Sequence, residues 1–364
     1  MSAEKRICFF SGDITRSGGT ERVAVMIANG LAGEGNHRIF IVSLTEQEAE
    51  PFYPVDERIP RHAFSPKWIN PGPGYLKIIP KLRRFLRDNR IDLIVDIDIV
   101  LDVLSLPAAK GLPVKVLSWE HFNYFFEQKR LYRRMILRWS VRRSDYVVTL
   151  TKRDRENYGQ HLGRRERIQA IPNPVQPQGC TQDRQRENWI ITAVRLVPDK
   201  GIDYLVEVAE QVLSAHPDWQ WLVLGDGEQR AFLEEQIRTR HLEGRLIGKG
   251  KVRDVQAYLE RAKLFALTSR EEGLPMCLLE AKTAHLPCVS FDIMTGPSEI
   301  IEDGVNGYLI PPFDCGAMAE KIGRLAEDEF LRQQFAAATE RGMEKYLPER
   351  VIKQWDQVIE EVCG

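Results

Sequence analysis

The segment LFALTSREEGLPMCLLEAKTAHLPCVSFD, residues 264–292, contains a strand, a loop, a helix and a second strand in close succession. The apolar run at 264–269 is typical of a buried strand, and the run after Pro275 has the length of a short helix. A strand, a helix and a further strand in this order predict a βαβ unit with parallel strands. Because ligands bind beyond the carboxyl ends of such strands, the loop after 269 is a candidate site.

The same rhythm extends outward in both directions along the chain. Short apolar runs predict strands in each half: 6–11, 37–44, 91–97, 114–119 and 145–151, then 189–194, 219–225, 264–269, 286–292 and 307–312. We therefore predict an α/β protein with two Rossmann-like, doubly wound parallel-sheet domains that face each other across a cleft. A basic helix near 75–90 is expected to be interrupted or opened at Pro80.

A stretch rich in Pro, Gln and charged residues separates the two halves. We expect a first domain at 1–175, a linker at 176–188 and a second domain at 189–346. Two helices are expected to close the chain, the second of them a long segment that runs to its end.

The bulk composition is that of a water-soluble enzyme or binding protein. Hydrophobic residues make up 43% and charged residues 28%, and the formal net charge is −1, so no global charge indicates nucleic acid. The 6 cysteines are scattered singly, as expected for reduced thiols in the cytoplasm. We find too short an apolar run for a signal peptide and none of 18 residues for a membrane span.

Two carboxylates flank the candidate loop. Glu272 precedes the turn Gly273-Leu274-Pro275, and Glu280 follows in the second turn of the helix. Pro275 suits the first helical position, and the free N–H groups behind it form an anion site. A phosphate there would leave both carboxylates to accept hydrogen bonds from hydroxyls, which fits a nucleotide-sugar. As an isolated pair, they would more often be solvated surface charges.

Three other loops favour the same ligand. AVRLVPDKG places Arg195 at a strand end and Lys200 before a helix, where two cations suit a diphosphate; the alternative is a surface ion pair. Gly18 and Gly19 open a helix after the first strand, without the GxGxxG spacing of a nicotinamide enzyme. Gly225 lies in LGDGEQ, which is equally well a plain helix-entry turn.

Two further stretches contain residue types that can bind a metal ion or a sugar. Asp96 and Asp98 alternate in VDIDIV, but they sit in a strand-like run with no third acidic group, so no metal site is expected. SWEHFNYFFEQ places His121 and several aromatic residues at the end of a first-domain strand. A lone histidine is more often structural, but this one lies where a ligand loop is expected.

Taken together, these motifs resemble glycosyltransferase family 4, whose members have the GT-B fold. The matching elements are GGTERV, RLVPDKG, the E-x7-E pair Glu272 and Glu280, IPNPV, TGPSEII and DGVNGYLI. The resemblance covers nearly the whole chain and is closest at 189–311. Val194 stands where the family has Gly, and Thr20 where Ala is usual.

The resemblance implies a retaining transferase that belongs to the synthesis of bacterial cell-surface polysaccharide or lipopolysaccharide. Arg195 and Lys200 would neutralise the donor diphosphate, Glu280 would hold the ribose, and Glu272 and His121 would contact the hexose. Gly19 would let backbone N–H groups reach the donor phosphate. No metal and no cofactor are implied beyond the nucleotide-sugar itself, expected to be UDP-linked. The helix at 347–364 is expected to return to the first domain.

The acceptor side of the fold is expected to meet a membrane. Basic residues gather on two helical segments around 75–90 and 129–143, interleaved with apolar residues; they are Lys77, Lys81, Arg83, Arg84 and Arg87, then Lys129, Arg130, Arg133, Arg134, Arg138, Arg142 and Arg143. Such helices suit an anionic lipid surface, although an ordinary solvated face is the alternative. We expect a cytoplasmic, peripheral enzyme with a lipid-linked saccharide acceptor.

Two other functions fit the same scaffold. A sugar-nucleotide epimerase or hydrolase would bind the same donor without an acceptor, and a non-catalytic module would bind it without turnover. The basic helices and the 118–128 stretch favour the transferase over the epimerase or hydrolase. The four charged donor residues favour the transferase over the non-catalytic module; they are Arg195, Lys200, Glu272 and Glu280.

Overall fold

The computed structural model describes residues 4–69, 72–177 and 186–364, with every side chain in those ranges except that of Glu127. Contacts divide the chain into two compact units. The first holds the residues up to Pro174 together with Tyr346–Gly364, and the second holds Val175–Lys345. Residues 178–185, most of the expected linker, lie outside the described residues, as does Cys180.

The first unit is built on a seven-stranded parallel sheet. Its strands are β1 (Lys5–Ser11), β2 (His37–Ser43), β3 (Arg61–Ala63), β4 (Leu93–Ile97), β5 (Lys115–Trp119), β6 (Tyr146–Thr149) and β7 (Ile168–Ala170). The order is β3-β2-β1-β4-β5-β6-β7, and β1 pairs in parallel with both β2 and β4. The strand order therefore reverses at β1, and the loops after β1 and β4 lie at the switch point where such sheets bind ligands.

Helices connect these strands. They are α1 (Gly19–Glu34), α2 (Pro73–Asp88), α3 (Asp102–Ala109), α4 (Tyr124–Gln128), α5 (Leu131–Arg143) and α6 (Lys152–Leu162). The expected interruption at Pro80 is wrong, because α2 continues through it. Pro80 and Leu76, whose carbonyl loses its helical partner, both lie on the exposed side, where that carbonyl can accept a hydrogen bond from solvent.

The second unit repeats this architecture with six parallel strands. They are β8 (Trp189–Ala193), β9 (Gln220–Leu224), β10 (Leu246–Gly250), β11 (Leu264–Leu267), β12 (Cys288–Phe291) and β13 (Gly307–Ile310), in the order β10-β9-β8-β11-β12-β13. The helices are α7 (Ile202–Ala215), α8 (Arg230–Thr239), α9 (Val255–Leu259), α10 (Met276–Thr283), α11 (Pro297–Ile300), α12 (Cys315–Glu327) and α13 (Glu329–Ala337). The predicted class of two doubly wound parallel sheets is confirmed.

Three strands were missing from the sequence prediction: β3, β7 and β10. All three lie at sheet edges. β3 and β7 have 3 residues each, and β10 carries two glycines in LIGKG, so none shows the apolar run by which a strand is recognised. The long closing segment is also two helices, α13 and the final helix α14 (Pro348–Cys363), instead of one.

Helix α14 packs on the first unit. Trp355 and Val351 on its inner face are fully buried. His37 Nε2 at the start of β2 lies 2.8 Å from Asp356 Oδ1, and Lys5 donates to the carbonyl of Cys363 at 3.3 Å. The last residues of the chain thus complete the hydrophobic core that the first strands begin.

A cluster of carboxyl groups is buried beneath the first sheet. Asp96 on β4 and Asp102 at the start of α3 are both fully buried and hydrogen-bond to each other. Ser105 donates to Asp96, and Ser118 donates to Asp102 at 2.6 Å. Burial raises the pKa of both acids, that of Asp102 to about 6 and that of Asp96 well above its usual value, where the charge of Asp102 adds to the effect. One proton is therefore held between the two carboxyls.

Candidate active site

The donor-side residues predicted from sequence lie on three loops of the second unit. Each loop follows the carboxyl end of a strand: 194–201 follows β8, 225–229 follows β9, and 268–275 follows β11. β8 pairs with both β9 and β11, so these loops are neighbours at one edge of the sheet. The topology alone therefore brings together the cations of one loop and the carboxylate of another.

Lys200 and Glu272 form an ion pair. Lys200 Nζ lies 2.6 Å from Glu272 Oε1, and their side chains are 18% and 10% exposed. Ser269 donates from Oγ to the same carboxylate oxygen at 2.7 Å, and Thr295 donates to the backbone carbonyl of Glu272 at 2.6 Å. Both the side chain and the backbone of Glu272 are thus fixed by hydroxyl groups that the sequence analysis did not single out.

Helix α10 begins beside this pair. Pro275 is its N-cap with ψ of 101°, so the expected place of Pro275 inside the first turn is wrong and the helix starts at Met276. Leu278 donates back to the carbonyl of Pro275 at 3.1 Å, so the N–H groups of Met276 and Cys277 precede the first hydrogen bond of the helix. Leu274 and Pro275 are buried, which anchors the turn.

The thiol of Cys277 reports how closely the charges gather. Burial raises the pKa of this thiol well above its usual value, with Glu272 and Glu280 raising it further and Lys200 lowering it. The charges of Glu272, Glu280 and Lys200 therefore all act on the thiol in the first turn of α10. That Glu280 belongs to the same site as the Lys200–Glu272 pair stays a prediction.

Arg195 differs from Lys200 in its surroundings. It is exposed, and no ion pair or side-chain hydrogen bond joins it to another residue of the described part of the chain. On the loops of the second unit, Arg195 is therefore a cation that an anionic ligand can reach.

Gly225 has a backbone reason to be glycine. Its φ is 136°, and a Cβ there would lie 1.9 Å from the carbonyl oxygen of Val194. The loop after β9 thus packs tightly on the loop that carries Arg195. Direct contact of Gly225 with a ligand stays a prediction.

Arg270 braces two of the loops. Its guanidinium donates to Asp203 at 2.8 Å, its backbone N–H donates to the carbonyl of Asp199 at 2.8 Å, and it stacks on the ring of Tyr204 at 4.2 Å. Arg270 was not predicted as a site residue, because the neighbouring residues carry the recognised motif. Its position as a cation at a strand end, next to Ser269, is the sequence feature that could have indicated it.

Gly18 and Gly19 lie in the first unit, where α1 begins at Gly19 as expected. A Cβ on Gly18 would lie 2.1 Å from Glu21 Oε2, whereas a Cβ on Gly19 would meet nothing within 4 Å. The two glycines therefore differ: a side chain at Gly18 would displace the carboxylate of Glu21, while the space in front of Gly19 is open.

His121 also belongs to the first unit and follows β5. Its side chain is buried at 8% exposure, and burial lowers the pKa of the imidazole to about 3, so the ring is neutral at physiological pH. Nε2 has no hydrogen-bond partner among the residues that the structure describes. Within the described ranges, this nitrogen is thus a buried polar atom without a hydrogen-bond partner.

The acidic pair considered for a metal is engaged elsewhere. Asp96 hydrogen-bonds with Ser105 and Asp102, and Asp98 forms an ion pair with Arg133 at 3.3 Å. Within the described ranges, no group of three or more His, Cys, Asp or Glu residues is arranged to hold a metal ion.

The two basic segments form α2 and α5. Of their cations, Arg83 donates to the carbonyl of Ala108 at 2.9 Å and Arg133 turns inward to Asp98, so these two are used within the fold. Lys77, Arg84 and Arg138 are among those that are exposed. In the part of the chain that the structure describes, no helix combines the length and the apolar character needed to cross a bilayer.

Two family profiles match the chain. Residues 17–178 match the profile described as Glycosyltransferase Family 4, and residues 181–342 match that described as Glycosyl transferases group 1. An uncharacterised glycosyltransferase of Haemophilus influenzae is 29% identical over 98% of this chain and 100% of its own. The GalNAc-alpha-(1->4)-GalNAc-alpha-(1->3)-diNAcBac-PP-undecaprenol alpha-1,4-N-acetyl-D-galactosaminyltransferase of Campylobacter jejuni is 23% identical over 95% of this chain and 96% of its own.

Solved structures of TarM resemble both units. One has a TM-score of 0.82 at 18% identity and covers 97% of this chain and 98% of its own. A second, of a mutant form of the Staphylococcus aureus protein in complex with Fondaparinux, alpha-GlcNAc-glycerol and UDP, has a TM-score of 0.69 at 27% identity, over 77% of this chain and 58% of its own.

The two doubly wound parallel sheets and the likeness to TarM define the fold as GT-B. Within that class, the two profile matches together span nearly the whole chain. The chain belongs to glycosyltransferase family 4.

Proposed function

We propose that this glycosyltransferase moves a hexose or N-acetylhexosamine from a UDP-sugar to a lipid-linked saccharide with retention of anomeric configuration. The proposed setting is the synthesis of cell-envelope polysaccharide or lipopolysaccharide. Uridine is the family's common nucleotide, and UDP is bound in the TarM complex. The Campylobacter relative is named for an undecaprenol-linked acceptor, which supports the same class of acceptor here.

One observation carries the proposal: two cations and a helix N-terminus meet at a single sheet edge of the second unit. Lys200 is held by Glu272 at 2.6 Å, Arg195 has no anionic partner in the described residues, and α10 presents free N–H groups. A diphosphate gains negative charge as the sugar departs, and preorganised donors stabilise that charge most in the transition state. This arrangement is suited to a departing nucleoside diphosphate.

The proposed step requires no dedicated base. The acceptor oxygen forms a bond to the anomeric carbon on the face from which the phosphate oxygen leaves. The bond between the anomeric carbon and the phosphate oxygen breaks, and that phosphate oxygen accepts the proton of the acceptor hydroxyl. Arg195, Lys200 and the α10 N–H groups stabilise the diphosphate, which supplies the charge neutralisation that a metal gives in other transferases.

The remaining residues recognise the donor. Glu280 accepts hydrogen bonds from the ribose and Glu272 from the hexose. His121, neutral in its buried site, binds a hexose hydroxyl through Nε2. The open space before Gly19 admits the donor phosphate to the first turn of α1.

A panel of UDP-sugars tests the proposal. Purified protein, a membrane extract as acceptor source and each donor in turn are expected to give one labelled lipid-linked product by mass spectrometry. Product formation is expected to survive EDTA. Activity that is lost with EDTA and restored only by an added divalent metal would contradict the metal-free mechanism. If the protein turns over no UDP-sugar, the proposal that its donor is UDP-linked is wrong.

The same assay separates the alternatives. A hydrolase releases free sugar without labelled lipid, an epimerase converts the donor, and a binding module turns over nothing. The cationic and apolar surface described next favours transfer, since neither alternative needs an acceptor surface.

We further propose that α5 rests on an anionic membrane as a peripheral contact on the inner face of the cytoplasmic membrane. Leu131, Met135 and Trp139 follow one another at intervals of four residues and are 63%, 63% and 38% exposed. Exposed arginines flank this row: Arg138, Arg142 and Arg143. An apolar row beside cations is typical of an interfacial helix, with each cation near the surface worth about 1 kcal/mol.

Replacing the row by serine (Leu131→Ser, Met135→Ser and Trp139→Ser together) is expected to weaken vesicle binding roughly tenfold or more, because apolar burial is lost. Co-flotation with phosphatidylglycerol vesicles measures this, and binding is expected to fall with salt. Phe330→Ser, at an isolated apolar side chain that is 70% exposed in the second unit, is the matched control. Equal flotation of all three proteins, or flotation that is equal on neutral vesicles, would exclude this contact.

A further inference from the structure

We infer that the C-terminal helix positions His121 through a stack of aromatic rings, so that Trp355 and Trp119 are positioning residues for sugar transfer. The inference rests on the proposed function, in which His121 contacts the transferred sugar. It concerns the first unit alone, and its residues come from segments that are far apart in the chain.

The stack is continuous and buried. The rings of His121 and Trp119 have centroids 4.4 Å apart, and those of Trp119 and Trp355 are 4.6 Å apart in an edge-on arrangement. Phe9 of β1 closes the far side of Trp355 at 6.3 Å. Both tryptophans are at most 1% exposed, so their rings fill the space between α14 and the sheet.

Strand geometry explains why Trp119 and His121 meet. Side chains two residues apart in an extended chain point to the same side. Glu120, between them, accepts a hydrogen bond from the backbone of Phe122 at 2.9 Å and donates its own N–H to Val148 at 2.9 Å, which fixes the turn after β5. The imidazole therefore lies against the indole on the α14 side of the sheet.

Helix α14 is itself held firmly on that side. Asp356, next to Trp355, pairs with His37, and Ile352 packs against α1, where a Cβ on Gly30 would lie 2.1 Å from its Cδ1. The ring of Trp355 is thus a fixed packing contact behind the ring of Trp119. Since interiors are closely packed, removing the Trp355 ring leaves space into which Trp119 can rotate, and His121 moves with Trp119.

A displacement of the His121 ring is expected to lower the rate of sugar transfer. Nε2 of His121 has no partner among the described residues, so no hydrogen bond of the protein at that atom compensates for a lost ring contact. A displacement of about 1 Å of a group that orients the reacting sugar can cost on the order of 10²-fold in rate. Other residues bind the donor diphosphate, so we expect the affinity for the UDP-sugar to be insensitive to the displacement of His121.

The test compares Trp355→Leu and Trp355→Phe with Ile352→Ala. Trp355→Leu is expected to lower kcat for transfer roughly tenfold or more, with the KM for UDP-sugar within about twofold of wild type. Trp355→Phe keeps an aromatic ring and is expected to restore most of the rate. Ile352→Ala removes one contact of the same helix without touching a ring and is expected to lower kcat far less than Trp355→Leu does.

A spectroscopic readout separates positioning from mere loss of stability. The ring C–H signals of His121 in ¹³C-histidine-labelled protein, assigned by their loss in His121→Ala, are expected to move in Trp355→Leu and to stay in Ile352→Ala. Unmoved signals, a wild-type kcat in Trp355→Leu, or an equal loss in Ile352→Ala would each overturn the inference. If Trp355→Leu does not fold, Trp355→Phe and Trp119→Phe give the same readouts in smaller steps.

The same design separates this inference from the proposed function. A wild-type protein that transfers sugar from no nucleotide donor would refute the function, while the His121 signals would still decide whether α14 sets the imidazole.

Discussion

Lys200→Ala is expected to lower kcat for sugar transfer by roughly 10²–10³-fold, the usual cost of one preorganised donor at a developing charge. Lys200 Nζ is fixed by Glu272 at 2.6 Å before any ligand binds, so the cation needs no rearrangement when the diphosphate forms. Glu272→Ala is expected to cost most of the turnover as well, since it removes both the partner of Lys200 and the proposed hexose contact. Labelled product formed per minute at saturating donor measures the effect.

The fold is expected to survive both changes. Ser269 still donates to Glu272 when Lys200 is absent, and Thr295 still holds the backbone of residue 272 through its carbonyl. Lys321→Ala is the matched control, because Lys321 forms a similar pair with Glu320 at 3.2 Å on α12. Transfer at the wild-type rate in Lys200→Ala would remove this residue from the site, and unfolding of the variant would instead assign it a structural role.

Asp96→Asn is expected to stabilise the first unit at pH 8 and to leave its stability nearly unchanged at pH 4, because the asparagine does not have to ionise in its buried position at the higher pH. Burial raises the folded pKa of Asp102 to about 6 and that of Asp96 well above its usual value, whereas both carboxyls titrate near about 3.9 when unfolded. Acids with a raised pKa contribute stability that is complete below about pH 4. That contribution is lost as the pH rises through 6.

The asparagine reproduces the protonated acid at any pH. Its amide donates to Asp102 as the shared proton does, and its oxygen accepts from Ser105. Hydrogen exchange of the β4 and β5 amides from pH 4 to pH 8 reports the local stability of this sheet. Asp88→Asn, at an exposed carboxylate on α2, is the control. An Asp96→Asn protein that loses stability with pH as steeply as wild type would show that no proton is shared.

Much of this molecule was accessible from local pattern. The apolar runs that became β1, β8 and β11 were recognised because a buried strand needs continuous apolar side chains, and the loops after them were recognised by position. Lys200 and Glu272 were assigned to one site because both follow predicted strands, beyond whose carboxyl ends ligands bind, and both suit the same nucleotide-sugar. The short edge strands β3 and β7 were not predicted, because a run of 3 residues is too short to show a hydrophobic periodicity.

Other features had no local signal. Ser269 and Thr295 are ordinary hydroxyl residues in sequence, and only the packed loops show that both hydrogen-bond to Glu272. Arg133 reads as one more surface cation of a basic helix, yet it turns inward to Asp98. A charge pattern predicts which helix is basic, but the partner that each side chain finds is set by what folds against it.

The sequence by itself determined the order of strands and helices, the two parallel sheets and the charged loops at their ends. These follow from hydrophobic period and turn chemistry, which act over a few residues. The tertiary structure alone decided that Trp355 lies against Trp119 and His121, and that Asp96 and Asp102 share a proton. Both depend on close packing between residues far apart in the chain, because burial and ring contact exist only once those segments meet.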